Sequence, residues 1–395
     1  MRLDHLLIRE FRNIERAEVE LGPGVNLLCG ANAQGKTNLL EAVHLLVTGR
    51  SFRARREREC IRWRPSAPPG SEGRTDDEED RAALVRGRIV RASGQHTVQV
   101  ALQGQHRRIE IDGAPITKLA SLWGRINAVL FTPDDLQLIK GPPAMRRLLL
   151  DTEISQMRPA YLLWLQRFQT ALRERAALLR AVAAGQRPRH ELDAWDATLA
   201  EASAEIHGHR RDIVGRLGPL VQATHHAISG RSETLQLVHH SQLETAGDLT
   251  REESIDRHRR LLLEAREADI ERGQTTVGPH RDDLWIFIDG ADIRAFASQG
   301  QQRAVILALR MAEVTLMEEE TGETPLLLLD DIVSELDPER RRRFFGLLRP
   351  EVQTLVTTVE TPAALEGVTP SRVFAVRRGL VAPMEIHEVA LAAEP

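Results

Sequence analysis

At 395 residues, 42% hydrophobic and 28% charged, the chain is long enough for one large or two ordinary domains and has the composition of a soluble globular protein. Its longest apolar runs fall far short of a membrane span, and Asp4 stands where a signal peptide would turn apolar, which points to a cytoplasmic protein with no membrane role. The net charge of −4 requires any nucleic-acid surface to be local, and two cysteines, Cys29 and Cys60, can build neither a disulfide framework nor a cysteine zinc set.

Leu3 to Leu21 reads as two strands around a polar turn at Arg12-Asn13, and Gly22-Pro23-Gly24 turns the chain into the apolar run Val25 to Cys29. Gly30-Ala31-Asn32-Ala33-Gln34-Gly35-Lys36-Thr37 follows and fits G-x-x-x-x-G-K-[ST]. In such a loop bare glycines let backbone N–H groups wrap a polyphosphate, Lys36 reaches the outer phosphates, and the Thr37 hydroxyl is a ligand for Mg²⁺. Helical spacing from Asn38 to Val47 aims a helix N-terminus at the same phosphates. Lys36 is one of only three lysines among 53 basic residues, so a compact ammonium is kept here in a chain that otherwise uses arginine.

Gly49 to Arg64 is basic, and two readings stand for it. One is a DNA-facing segment led by Arg53, Arg55 and Arg56; the other is a solvated helix partly neutralised by Glu57 and Glu59. Residues 65–80, rich in Pro, Gly and acid, have no periodicity and read as a disordered insertion. From Ala83 to Ile116, turns at Ser93-Gly94, Gln103-Gly104 and Asp112-Gly113 mark an antiparallel meander, and Ile126 to Phe131 is a further buried strand.

Beyond Pro159 the period changes. Tyr161, Leu165, Phe168, Leu172, Ala176 and Leu179 predict one long amphipathic helix, and Leu192 through Leu217 a second, together an antiparallel hairpin. A strand at Thr234 to Val238 and a helix at 251–271 complete a mostly helical insert, after which a hairpin turns at Asp289-Gly290. Ser298 has N-cap chemistry for a helix through Met317. Ser298, Gly300 and Gln301 are therefore either a plain cap or a second anion-binding helix end. Leu326 to Leu329 reads as a buried central strand with Asp330 and Asp331 at its carboxyl end. Asp330 is placed to hold Mg²⁺ through water, and Asp331 to orient or deprotonate an attacking water.

These elements predict an α/β protein: a split ATPase lobe with a mixed sheet and a meander, residues 1–131 and 275–395 with a tail from 384, around a helical lobe at 132–274. S-x-G-Q at Ser298 to Gln301 resembles the signature of ABC-type ATPases, and Ser334 to Asp337 resembles their D-loop. Five stretches, F-R-N at Phe11, G-R-S-F-R at Gly49, 133–151, G-P-H-R-D-D-L at Gly278 and S-Q-G-Q-Q-R at Ser298, are similar to the RecF family of SMC-related recombination-repair ATPases. Residues 65–80 and the tail beyond Pro383 fall outside the resemblance.

The resemblance implies an ATP-dependent homodimer that binds gapped, single- and double-stranded DNA and, with RecO and RecR, helps RecA displace single-strand-binding protein. Its cofactors would be ATP and Mg²⁺. Three departures from the ABC pattern imply slow hydrolysis: no clear Q-loop glutamine after Phe131, Thr357-Thr358 where transporters carry a switch histidine, and Asp331 one methylene shorter than the usual glutamate. Two alternatives stay open, another ABC-like ATPase such as a transporter motor or defence protein, and a scaffold that binds ATP with negligible turnover. The Lys36–Ser298 separation is more than twice that expected of a transporter motor.

Overall fold

The computed structural model describes residues 1–63, 81–243, 249–360, 365 and 368–385; the insertion expected at 65–80 lies outside them, as does the tail after 385. The chain divides into two compact units. The first comprises Met1–Asp135, Ala227–Ser229 and Glu313–Pro395, the second Leu136–His226 and Gly230–Ala312. Residues 275–312, placed from the sequence in the ATPase lobe, cluster in the second unit. Elements are numbered in chain order.

Two six-stranded sheets make up the first unit. One is antiparallel throughout, in the order β2-β1-β4-β5-β6-β7, from β1 (Arg2–Phe11), β2 (Ile14–Glu20), β4 (Ala82–Arg91), β5 (Gly94–Gln103), β6 (His106–Ile111) and β7 (Ala114–Ile116). The turns at Ser93-Gly94, Gln103-Gly104 and Asp112-Gly113 fall between its strands, as tight hairpin turns require φ > 0 and Gly94, Gly104 and Gly113 supply it. The alternation of β4, with Ala83, Val85 and Ile89 buried between exposed or half-buried neighbours, gives it one core face.

The other sheet runs β15-β14-β3-β13-β12-β8, from β3 (Val25–Cys29), β8 (Ala128–Phe131), β12 (Leu326–Leu329), β13 (Thr354–Thr358), β14 (Arg372–Arg377) and β15 (Leu380–Met384). All its pairings are parallel except β14 with β15. Leu326 to Leu329 are all buried because β12 is interior, with β8 on one side and β13 on the other. Its register matches Leu329 to Phe131 and to Val356, so the chain leaves β8, β12 and β13 at the same carboxyl edge. Helix α1 (Lys36–Thr48) follows β3 and buries Leu39, Leu40, Val43, Leu46 and Val47; Gly49 ends it in the left-handed region, its N–H on the Leu45 carbonyl at 2.8 Å.

In the second unit, α2 (Gln137–Lys140), α3 (Pro143–Met157), α4 (Pro159–Ala183) and α5 (Leu192–Ser229) come first, then β9 (Leu235–His240), α6 (Arg251–Glu264) and α7 (Arg266–Arg272). The helix expected over 251–271 is thus two helices, broken at Ala265. β10 (Asp283–Ile288) pairs antiparallel with β9 and with β11 (Ala291–Asp292), around the Asp289-Gly290 turn. Next come α8 (Ile293–Phe296) and α9 (Gln299–Thr321), the last of which ends in the first unit. Tyr161, Leu165, Phe168 and Leu179 are buried as their spacing predicted, but Arg175 is buried with them. It donates to Asp196 of α5 at 2.6 Å, to Asp269 of α7 at 2.6 Å and to Thr275 at 2.9 Å, so two carboxylates balance a guanidinium with no exposure to water.

Candidate nucleotide site

The loop from Gly30 to Thr37 joins β3 to α1, at the carboxyl edge where parallel sheets present their ligand groups. Two contacts show why it carries glycine at both ends. A Cβ on Gly30 would lie 2.3 Å from the Val376 carbonyl oxygen. At Gly35, φ is 112° and a Cβ would meet the Asn13 side chain at 2.6 Å. The backbone can close around an anion only with both side chains absent.

Lys36 donates to the carbonyls of Gly30 at 2.7 Å and Ala31 at 2.9 Å, which holds its ammonium inside the loop. Burial lowers its pKa, and the charges of Asp331 and Asp330 oppose that fall. The Thr37 hydroxyl donates to Asp330 at 2.9 Å. The P-loop and the end of β12, far apart in sequence, are therefore one site.

Asp330 accepts a second hydrogen bond, from Thr357 of β13, at 2.8 Å. Burial raises its pKa; the bonds from Thr357 and Thr37 pull it down, the charge of Asp331 pushes it up, and that of Arg53 lowers it. Asp331 has φ 49°, which turns its side chain out of the strand direction, and its N–H donates to the Thr357 hydroxyl at 2.8 Å. One threonine thus holds the Asp330 carboxylate and the Asp331 backbone. Asp331 Oδ1 is buried without a hydrogen-bond partner, an acceptor available to a water or a cation. With the Thr37 hydroxyl and Asp330 beside it, the donor set is hard oxygen throughout, which fits Mg²⁺.

Several residues that the sequence reading did not place in the site support it. Asn13, in the turn between β1 and β2, donates to the Gln34 carbonyl at 3.0 Å and accepts from Asn38 at 2.8 Å. Gln34 is also clasped from the other side, by N–H groups of Arg378 at 2.7 Å and Gly379 at 2.8 Å. Glu41 of α1, fully buried, takes two bonds from Arg12, at 2.9 and 2.5 Å, and one from Ser51. The F-R-N and G-R-S-F-R stretches were the available signal, because both converge on the first turns of α1.

The basic segment is not the solvated helix that was one of its two readings. Among its described residues it is irregular apart from a single 3₁₀ turn, Glu57–Cys60, whose Cys60 is buried, and a β-bridge of Ile61 to Phe11. Arg53, Arg55 and Arg56 are exposed; Arg53 also donates to Asn38 at 3.1 Å, beside the nucleotide loop. Ser298, Gly300 and Gln301 lie in the second unit at the start of α9. Ser298 N–H donates to Gln301 Oε1 at 2.9 Å, and Gln301 N–H to Ser298 Oγ at 3.3 Å, a reciprocal cap that leaves the Ser298 side chain exposed.

A glycine-cradled lysine, a threonine on an aspartate at the end of a buried parallel strand, and an adjoining antiparallel sheet define a P-loop ATPase of the SMC and ABC class. A model of the RecF/RecN/SMC N terminal domain matches residues 2–382. The DNA replication and repair protein RecF of Limosilactobacillus fermentum is 39% identical over 369 residues, covering 93% of this chain and 94% of that one. That of Symbiobacterium thermophilum is 38% identical over 388 residues, covering 96% and 98%. A solved structure of the recombination mediator protein RecF with ATP, of the RecFOR pathway, superposes with a TM-score of 0.86 at 30% identity and covers 97% of each chain. An Smc head bound to the C-terminal winged-helix domain of ScpA matches in fold alone, with a TM-score of 0.57 at 15% identity. The chain belongs to the RecF family.

Proposed function

We propose that this chain is an ATP-controlled DNA-binding protein of recombinational repair. It dimerises around ATP, holds gapped, single- and double-stranded DNA, hydrolyses ATP slowly and, with RecO and RecR, helps load RecA. The observation that carries the reading is the 2.9 Å bond from Thr37 to Asp330, which joins a phosphate-binding loop to a metal-binding carboxylate. The repair role rests on relatives named for it over nearly their whole length. As a protein of the chromosome it would act in the cytoplasm.

The Gly30–Thr37 backbone would cradle the polyphosphate, and Lys36 would turn from the Gly30 and Ala31 carbonyls onto its outer phosphates. Thr37 and Asp330 would hold Mg²⁺, Asp330 through water; bound there, the ion neutralises charge on the outer phosphates. Asp331 orients a water and takes its proton as the water oxygen bonds to the γ-phosphorus and the bond to the β–γ bridging oxygen breaks. Its short side chain, set back by one methylene and anchored at its N–H by Thr357, favours slow turnover. Ser298, Gly300 and Gln301 would cap the nucleotide of a second copy, because one phosphate has no use for two cradles in one chain.

DNA would lie on exposed arginines, among them Arg53, Arg55 and Arg56, since an acidic protein can hold it only by a local basic surface. The test is DNA binding with ATP, ADP and no nucleotide, on single-stranded, duplex and gapped substrates at several salt concentrations. Tighter binding with ATP, falling steeply with salt, is expected. Equal affinity in all three nucleotide states would refute ATP control, and an affinity unchanged by reversing charge at Arg55 and Arg56 would move the DNA surface elsewhere.

A further inference from the structure

The second unit contains a cluster of which the nucleotide site makes no use. His207 of α5, His239 of β9 and Asp282, just ahead of β10, each offer one ligand atom, and the three atoms lie within 4.8 Å of one another. His239 Nε2 is 3.2 Å from Asp282 Oδ2. His207 is more than nine-tenths buried, and its Nδ1 has no hydrogen-bond partner. An enclosed polar atom without a partner costs about 1–3 kcal/mol, so its retention calls for an occupant.

We propose that His207, His239 and Asp282 form a binding site for a divalent transition metal, with zinc the ion their chemistry fits. Two imidazoles and one carboxylate suit zinc and exclude magnesium and calcium, which take oxygen ligands. Ligands bound at 2.0–2.1 Å in a tetrahedron stand about 3.3 Å apart, so the His239–Asp282 pair already has the separation required.

Asp282 is shared, but not consumed. Arg210 reaches its Oδ2 at 3.3 Å, yet binds Asp151 more closely, at 2.8 Å, and the Pro279 carbonyl at 2.8 Å. Among the described residues Asp282 Oδ1 accepts no hydrogen bond. His258 of α6 packs outside this trio, its ring centroid 6.3 Å from that of His207. Its Nδ1 donates to the Ser254 carbonyl at 2.9 Å. A cavity of ≈ 240 Å³, lined by His207, Gly208 and Ser254 among others, borders one of the three ligands.

The three side chains come from α5, β9 and the turn before β10, so a bound ion would tie the long helix to the sheet of its own unit. The test uses full-length protein stripped with EDTA, dialysed, and titrated with Zn²⁺ or Co²⁺. One tightly held equivalent per chain is expected, with the visible bands of tetrahedral Co²⁺ and a rise in melting temperature. His207→Gln and His239→Gln should lose that equivalent while their melting in EDTA stays near that of the parent. Asp330→Asn, which removes the carboxylate beside the P-loop, should keep it. X-ray absorption of the zinc-loaded parent needs no variant, and two imidazoles are expected around the ion. An all-oxygen shell, no stoichiometric uptake, or undiminished uptake by His207→Gln would overturn the proposal.

Discussion

The ammonium of Lys36 and the carboxylate of Asp331 serve different stages of one reaction, and single substitutions should separate them. Lys36→Ala removes the charge that meets the outer phosphates, so ATP binding and every ATP-dependent activity should fall by one to two orders of magnitude. Asp331→Asn keeps the size of the side chain and the N–H bond to Thr357, so ATP binding should persist while hydrolysis stops. Turnover of the Asp331→Asn protein at the parental rate, measured as phosphate release, would take that residue out of the mechanism. The two thiols allow a pH test. Burial pushes Cys29 and Cys60 up to about 11, so at pH 8 each thiolate is populated about a hundredfold less than that of an ordinary cysteine. Alkylation of the native protein should be slow at pH 8 and accelerate as pH rises toward 11; rapid labelling of either thiol at pH 8 would contradict the raised pKa of that group.

Among the elements, the interlocked charges of α4, α5 and α7 offer the plainest stability prediction. Arg175→Ala would leave Asp269 buried without its cation and Asp196 with Arg266 alone, at a cost of about 3–5 kcal/mol. Denaturant unfolding should show the loss; a change below 1 kcal/mol would mean that water replaces the guanidinium. Arg175 also marks where reading the sequence fails. Periodicity located the apolar stripe of α4 but not a charged residue within it, because the partners that compensate the charge lie on other helices. The strands were more legible. Val25–Cys29 followed from an apolar run and the turns of the meander from glycine, both local signals. The same contrast holds in the nucleotide site. Its loop and its two aspartates were readable because their spacing is the signal, whereas Asn13 and Thr357, though they stood in stretches singled out by resemblance, show their roles only in three-dimensional contacts with Gln34 and Asp330.

At the scale of the whole molecule the central prediction is assembly. The Ser298 side chain is exposed at the start of α9, in the second unit, while the P-loop belongs to the first. If two copies exchange these ends across two ATP molecules, ATP should favour the dimer and ADP should not, by as much as their differential contacts allow. Ser298→Arg should block association through bulk and misplaced charge and leave ATP binding by the monomer nearly intact. Sedimentation at matched protein concentration decides the matter: an ATP-independent dimer, or a Ser298→Arg protein that still dimerises with ATP, rules the arrangement out.

The strand order of the parallel sheet has a consequence for how the chain is made. β3 lies between β13 and β14, so the strand that carries the P-loop leaves the ribosome long before either neighbour exists. Some three hundred residues separate it from β13, which at roughly 5–20 residues per second is about fifteen seconds to a minute of synthesis. Through that interval its apolar residues have no sheet to join, and no amino-terminal fragment can complete the nucleotide site. A nascent chain stalled before β13 should therefore be a client for chaperones and fail to hold ATP, although its P-loop is already intact.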